Sequence, residues 1–360
     1  MDLLILVDKG LEEIAQSEIK ERTNKNGTIV DCGVIVNGVD ETIAIKLAYK
    51  LQSAKRVIEL KYQFKANNLD EIRSELEKQD IIVPADTRIE CEREGTHDYN
   101  SPDVVSEVLD ILEKKGIKTK KEGKTFYVYI NEEKGYAGKD FSGRDLSKRE
   151  YRIFVKPTTL KGTLAFGIIK ESGYKKGEII IDPYCETGVI AIEAALYASN
   201  KSVRFYKKEF PSNIDTQKIF DEEDEKIEEK IKNIYAYDKN LKNINSTKKN
   251  AKIAGVDKMI NFSKLEVEWL DTKFEEKTVD RIVTKLPSES KKVSEKILKK
   301  LYEEFFYQVE FVLKNDGCAV VCVQKGELIK KHSKKMKVVS EKEFYSGQQS
   351  FKILTFKKDL

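Results

Sequence analysis

The sequence predicts an α/β protein in which a mostly parallel sheet, covered by helices on both faces, fills the C-terminal part, with two smaller α+β units before it. Three observations carry that expectation. At 360 residues the chain is long enough for two or three domains of roughly 100–200 residues each. Hydrophobic residues make up 40% and charged ones 36%, which suffices for real cores and excludes wholesale disorder. From about residue 157 onward, apolar strand-like runs alternate with stretches of helical period, the pattern of a buried parallel sheet.

In chain order, the apolar run 3–7 reads as a first strand. It is short, lacks a basic leader and continues into Asp8-Lys9-Gly10, unlike a signal peptide. Residues 11–20 put Leu11, Ile14, Ala15 and Ile19 on one helical face, 28–36 is strand-like, and 41–51 is helical again. The next stretch repeats the mixture, with a helix at 69–78, an alternating strand at 88–93 and a strand at 125–130. Between those strands, Ser101-Pro102-Asp103 opens a helix that stops near Gly116, since serine caps well and proline is tolerated in a first turn. After Pro157 come a helix at 160–169, an apolar strand at 178–181, a helix at 189–198, a strand at 234–237 and a helix at 240–254. Strands near 260–263, 281–284 and 318–323 follow, with a helix at 295–313 before the last of them, and 338–343 and 350–357 close the chain as a strand pair. Residues 221–232 carry seven acids and read as a solvated surface insertion.

Composition narrows the function. The net charge is only +4, from 66 basic and 62 acidic residues, so the total predicts no partner and distribution must. Five scattered cysteines without a CxxC pair, and only His97 and His332, argue against a disulfide framework and a metal site. No apolar run approaches the roughly 18–20 residues of a bilayer crossing, so a cytoplasmic protein is expected, with no membrane and no DNA partner.

The densest signal is Asp182-Pro183-Tyr184-Cys185-Glu186-Thr187-Gly188, between the apolar strand and an alanine-rich helix. Open α/β sheets bind ligands where strand ends meet helix N-termini, and unpaired N–H groups there suit a carboxylate or phosphate. About fifty residues on, the strand 234–237 runs into Asp238, which can accept two ribose hydroxyls. The alternative is a capping turn plus an exposed aspartate.

These residues resemble motif I of class I S-adenosylmethionine-dependent methyltransferases, in the form Asp-Pro-x-Cys-Gly-Ser/Thr-Gly followed by Ile-Glu-Ala that is found in RNA methyltransferases with an appended THUMP domain. Asp182, Pro183, Cys185, Thr187, Gly188, Ile192, Glu193 and Ala194 match, and Glu186 replaces the first glycine. Asp238 matches the ribose-binding acid. Asn250-Ala251-Lys252-Ile253-Ala254-Gly255-Val256 matches the helix end that follows it, and Glu266, followed by Val267, stands where the family contacts the adenine amine. The resemblance implies a Rossmann-like, mostly parallel seven-stranded sheet over 156–360, S-adenosyl-L-methionine as cofactor, and Asp182, Tyr184, Cys185, Glu186, Thr187, Gly188, Asp238, Glu266 and Val267 around it. It also implies a ferredoxin-like α+β domain at 1–60 and an RNA-binding THUMP domain at 61–155.

The THUMP resemblance rests on RIECEREGTHDYNSPDVV at 88–105, where Arg93, Gly95, His97, Tyr99 and Ser101 hold signature places. Asp145-Leu146-Ser147-Lys148-Arg149-Glu150-Tyr151-Arg152 is similar to the family's link into the catalytic domain. Arg93, His97, Tyr99, Lys148, Arg149 and Arg152 are therefore expected to contact RNA, through phosphates and stacking. The resemblance points to tRNA first and rRNA second.

Motif IV departs from the family. Where enzymes methylating exocyclic amines have Asn/Asp-Pro/Leu-Pro-Tyr/Phe-Gly, this chain has Lys285-Leu286-Pro287-Ser288-Glu289. An ammonium donates three hydrogen bonds and accepts none, so Lys285 cannot orient an amine as asparagine does. Three readings stay open: amine methylation through the Lys285, Leu286, Pro287 and Ser288 loop, with N2 of guanine as precedent; another target such as N4 of cytosine; or a catalytically inactive THUMP protein that only binds RNA.

Overall fold

The computed structural model describes residues 1–84, 87–120, 123–288, 293–333 and 335–359. They form two compact units, one of residues 1–7, 15–146 and 204–222, the other of residues 8–14, 147–203 and 223–360. Three sheets were expected as three domains. The first two sheets lie in one unit, and the chain returns to that unit for 204–222.

The first unit begins with β1 (Leu3–Val7), α1 (Glu12–Thr23), β2 (Thr28–Val30), β3 (Gly33–Val36), α2 (Glu41–Lys50) and β4 (Ala54–Glu59). The sheet order β2-β3-β1-β4, with β1 antiparallel to both neighbours, is the ferredoxin-like βαββαβ arrangement. The single strand expected over 28–36 is a hairpin, turning at Asp31 and Cys32, and Cys32 takes φ 59°. Periodicity missed it because both arms are apolar and the turn lacks a glycine at the left-handed position.

A second sheet follows, from β5 (Tyr62–Lys65), α3 (Leu69–Lys78), β6 (Arg88–Glu94), α4 (Ser101–Lys114), β7 (Thr125–Asn131) and β8 (Lys134–Lys139), in the order β5-β8-β7-β6. Both helices bury one face on it, Ile72 and Leu76 from α3, Val104, Val108 and Ile111 from α4. The α4 cap is Asn100, one residue before the expected Ser101. Its side chain and that of Asp103 bond each other's backbone N–H, with proline in the first turn.

The second unit comprises α5 (Gly162–Glu171), β9 (Ile180–Asp182), α6 (Val189–Ala198), the end of α7 (Gln217–Asp224), β10 (Ile234–Asp238), α8 (Leu241–Ala254), β11 (Ile260–Lys264), β12 (Val279–Lys285), α9 (Glu295–Val312), β13 (Leu313–Val323), α10 (Glu327–Lys331), β14 (Met336–Ser346) and β15 (Gln349–Lys358). The seven strands run β11-β10-β9-β12-β13-β15-β14. The first five are parallel, and β15 is antiparallel to both neighbours. This is the expected Rossmann-like, mostly parallel seven-stranded sheet. From β9 the chain builds outward through β10 and β11, then returns to the other side of β9 with β12. The loops after β9 and β12 therefore flank the switch point where such sheets bind ligands. Leu298, Tyr302, Phe305, Phe306 and Val309 of α9 fill one face of this core.

The acidic stretch is not wholly solvated. It starts inside α7, where Phe220 and Glu223 are buried. Among the described residues, no helix is long and apolar enough to cross a membrane, and no cluster of acids, histidines and cysteines could hold a metal ion.

Candidate active site

The residues expected around a cofactor converge at the C-terminal ends of β9 and β10. The loop leaving β9 is fixed to β10 by its backbone: Cys185 N–H donates to the Tyr237 carbonyl at 2.9 Å and Glu186 N–H to Asp238 Oδ2 at 3.1 Å. Glu186 takes φ 50° and Gly188 φ 83°, left-handed values that favour glycine. That is the conformational reason the family pattern has glycine at both positions. A Cβ on Gly188 would fall 2.2 Å from the Thr247 methyl of α8. Gly188 caps α6 with no side-chain bond to the helix's first turn, so its N–H groups are not claimed by a capping side chain.

Asp182 ends β9 fully buried, accepting from the Thr284 hydroxyl of β12 at 2.7 Å. Burial, reinforced by the charges of Asp238 and Glu186 and opposed by bonds from Thr284 and the Tyr184 N–H, raises its carboxyl to about 7. Asp238 Oδ1 and Oδ2 accept from the N–H of Asn240 and of Glu186, and each carboxylate oxygen has a further lone pair. Tyr184 is half-buried beside them. Burial pushes its phenol up, and Glu268, Asp238 and Glu266 add to that in turn. Tyr184, Asp238 and Glu266 thus share one neighbourhood, and Glu268 is a fourth member that sequence reading missed. Glu266 is exposed while Val267 is buried.

Asn250, noted only as part of a matched helix end, has a clear role. Its amide donates to the Thr187 and Phe154 carbonyls, each at 3.0 Å, and its Oδ1 accepts from the Phe154 N–H at 3.0 Å. It ties the β9 loop to the segment preceding α5.

Within that segment Thr158 links the two departures from the family pattern. Its hydroxyl donates to Glu186 Oε1, and its carbonyl accepts from Lys285 Nζ. Lys285 also lies 5.6 Å over the Phe351 ring. Leu286 is buried, the Pro287 carbonyl accepts from the Tyr302 hydroxyl at 2.6 Å, and Ser288 Oγ accepts from the Gln324 N–H at 3.0 Å. Glu289, expected to close this loop, lies outside the described residues.

The expected RNA contacts fare unevenly. Arg149 is corrected. Its side chain is 1% exposed, and its guanidinium donates to both oxygens of the fully buried Glu193, at 2.8 and 3.3 Å. Tyr151, two residues on in the same link motif, is buried and donates to the same carboxylate at 2.7 Å. A Cβ on Gly162 would fall 2.5 Å from Glu193 and 2.6 Å from Arg149, so a glycine leaves room for the pair. Lys148 is exposed and Arg152 half-exposed. In the first unit Tyr99 is also corrected, from a stacking ring to a core residue whose hydroxyl donates to the Ala66 carbonyl at 2.5 Å. Arg93 sits over that ring at 5.3 Å, and His97 Nε2 lies 2.8 Å from the Glu132 carbonyl oxygen.

Comparison with known proteins agrees with this fold. The chain is 27% identical over 358 residues to tRNA (guanine(6)-N2)-methyltransferase of Methanocaldococcus jannaschii, covering 92% of each. It is 31% identical over 190 residues to ribosomal RNA large subunit methyltransferase K/L of Buchnera aphidicola, matching 49% of this chain but only 27% of that longer protein. The solved structure of a possible methylase from Clostridium difficile 630 superposes with a TM-score of 0.83 and 25% identity, covering 100% of this chain and 98% of that one. The model of the RMKL-like methyltransferase domain matches residues 149–352. That span holds six strands of the sheet and the first four residues of the seventh, β15, with both loops at its switch point, and the chain belongs to the RMKL-like methyltransferase domain family.

Proposed function

We propose that the chain is an S-adenosylmethionine-dependent RNA methyltransferase acting on an exocyclic amine of a base in tRNA or rRNA. The observation that carries the reading is the hydrogen-bonded chain that joins Asp238, the Glu186 loop leading into α6 and the Lys285 loop, through the Glu186 N–H and Thr158. The donor set suits the cofactor. N–H groups at the α6 end match a methionine carboxylate, Asp238 matches ribose hydroxyls, and Glu266 beside the buried Val267 matches an adenine amine. When bound, the cofactor supplies a methyl group on a sulfonium, a good leaving group that needs little acid-base help.

The chain's own part is then placement. Asn250 and Asp238 hold the β9 loop, and Tyr302 holds the Pro287 carbonyl in position, where its second lone pair can accept from an amine. Aligning an amine against the methyl group is worth much of the rate. The first relative above makes N2 of guanine the leading target, and the altered 285–288 loop keeps N4 of cytosine as the second. A THUMP-type RNA-binding region, expected over 61–155, is proposed within the first unit, with Arg93 and His97 as partly exposed contacts; Lys148 and Arg152, proposed as further RNA contacts, belong to the second unit.

One observation favours a second reading, a catalytically inactive RNA-binding protein. Lys285 and Glu186, the two departures from the family pattern, are both tied to Thr158. Isothermal titration with S-adenosylmethionine separates the two, because a protein that only binds RNA leaves the titration flat at millimolar ligand. The decisive test is nucleoside mass spectrometry of tRNA and rRNA from a deletion strain, before and after incubation with the protein and S-adenosylmethionine. One methylated base missing and then restored is expected. No missing base in either RNA sinks the proposal.

A further inference from the structure

A cleft of the first unit is lined by residues not assigned so far. It measures about 710 Å³ and is lined by the turn after β8, with Gly143 and Arg144, and by the excursion 204–216, with Arg204, Lys207, Lys208 and Phe210. Its lining holds four basic residues and one acid, Glu209, in a chain whose overall charge is nearly balanced. The sequence there, Arg204-Phe205-Tyr206-Lys207-Lys208-Glu209-Phe210, interleaves cations and aromatic rings.

The cleft is built rather than incidental. Arg204 forms its frame, donating to the carbonyls of Lys207 at 3.1 Å and Glu209 at 3.0 Å and stacking 4.6 Å from the Phe210 ring. The opposite wall is held from below. Asp140 accepts from the Ser142 N–H at 2.8 Å, and Ser142 Oγ accepts from the Val57 N–H at 2.7 Å. Gly143 turns with φ 67° against Pro211, where a Cβ would lie 3.0 Å from the proline ring. The excursion is pinned further along, by the Asn213 N–H donating to Glu41 at 2.9 Å and by Phe210 and Phe220 packing on Tyr49. Lys207 is exposed, and Tyr206 holds its ring 65% exposed beside it.

We propose that this cleft binds the phosphodiester backbone of RNA, with Arg144, Lys207 and Lys208 meeting phosphates and Tyr206 offering its face to a base. The proposal rests on the RNA-methyltransferase reading and adds a second contact surface to it. A fixed arginine frame carrying lysines suits successive phosphates, which demand charge and not apolar enclosure. An exposed tyrosine next to them is the stacking platform of single-strand binders.

The test is fluorescence anisotropy of the full-length protein with a fluorescein-labelled, unmodified tRNA transcript over a salt series. Arg144→Ala/Lys207→Ala should weaken binding about tenfold at 0.1 M salt, and should lower the slope of log affinity against log salt by roughly 0.7–0.9 for each lost phosphate contact. Tyr206→Ala should weaken binding at least about fivefold with the slope unchanged. Circular dichroism and S-adenosylhomocysteine titration confirm that each variant is folded. Unchanged affinity and slope in both variants, with tight binding by the parent, overturns the cleft assignment and leaves the RNA reading intact. A parent that binds no tRNA, and that methylates no RNA, overturns both.

Discussion

Arg149 offers the sharpest test of how charge is used in this protein. By sequence it is one of the expected RNA contacts. In the fold it is 1% exposed and paired through two nitrogens to Glu193, itself fully buried, with Tyr151 donating to the same carboxylate. Arg149→Met removes the cation and leaves the buried Glu193 carboxyl without its ion-pair partner. Breaking a buried pair from one side costs roughly 3–5 kcal/mol, which for domains of 150–250 residues corresponds to a melting temperature lowered by roughly 6–20 °C. Replacing both partners, as Arg149→Met/Glu193→Met, removes the orphaned carboxyl and should recover most of the loss. The assay is urea unfolding followed by circular dichroism and by fluorescence of Trp269, the one tryptophan of the sequence, which lies in the second unit. The salt dependence of tRNA binding should not change in the single variant, because no phosphate contact is lost. A destabilisation under about 1 kcal/mol together with a shallower salt slope would refute this reasoning and return Arg149 to the RNA surface.

Two further outcomes follow from the β9 loop. Asp182 ionises near 4 when unfolded and at about 7 when folded, so the native state holds its proton longer. Stability should then fall as pH rises from about 4 to 7 and level off above, by about 4 kcal/mol in all. Asp182→Asn should flatten this window in urea midpoints measured across pH, and an unaltered profile would show that the buried carboxyl is not responsible. Glu186 spends backbone strain at φ 50° and places a carboxylate beside the expected methionine carboxylate. Glu186→Gly should add up to about 1 kcal/mol of stability, and should tighten S-adenosylhomocysteine about fivefold in a calorimetric titration. Weaker binding would mean that the Glu186–Thr158 bond supports the pocket.

Sequence alone determined the features written in local pattern. The alternation of apolar strands and helices predicted the parallel sheet, because period and burial follow from a few neighbouring residues. The β9 loop and Asp238 were legible for the same reason, since strand-end chemistry sits in contiguous motifs. Tertiary structure decided what depends on partners far apart in the chain. Arg149 and Glu193 are 44 positions apart, and nothing near either signals that burial awaits them. Thr158 joins Glu186 and Lys285 across separations of 28 and 127, and residues 204–222 leave the catalytic unit's fold to complete a cleft in the other. A charged side chain looks alike in sequence whether water or a carboxylate surrounds it, and only the packed chain chooses between them.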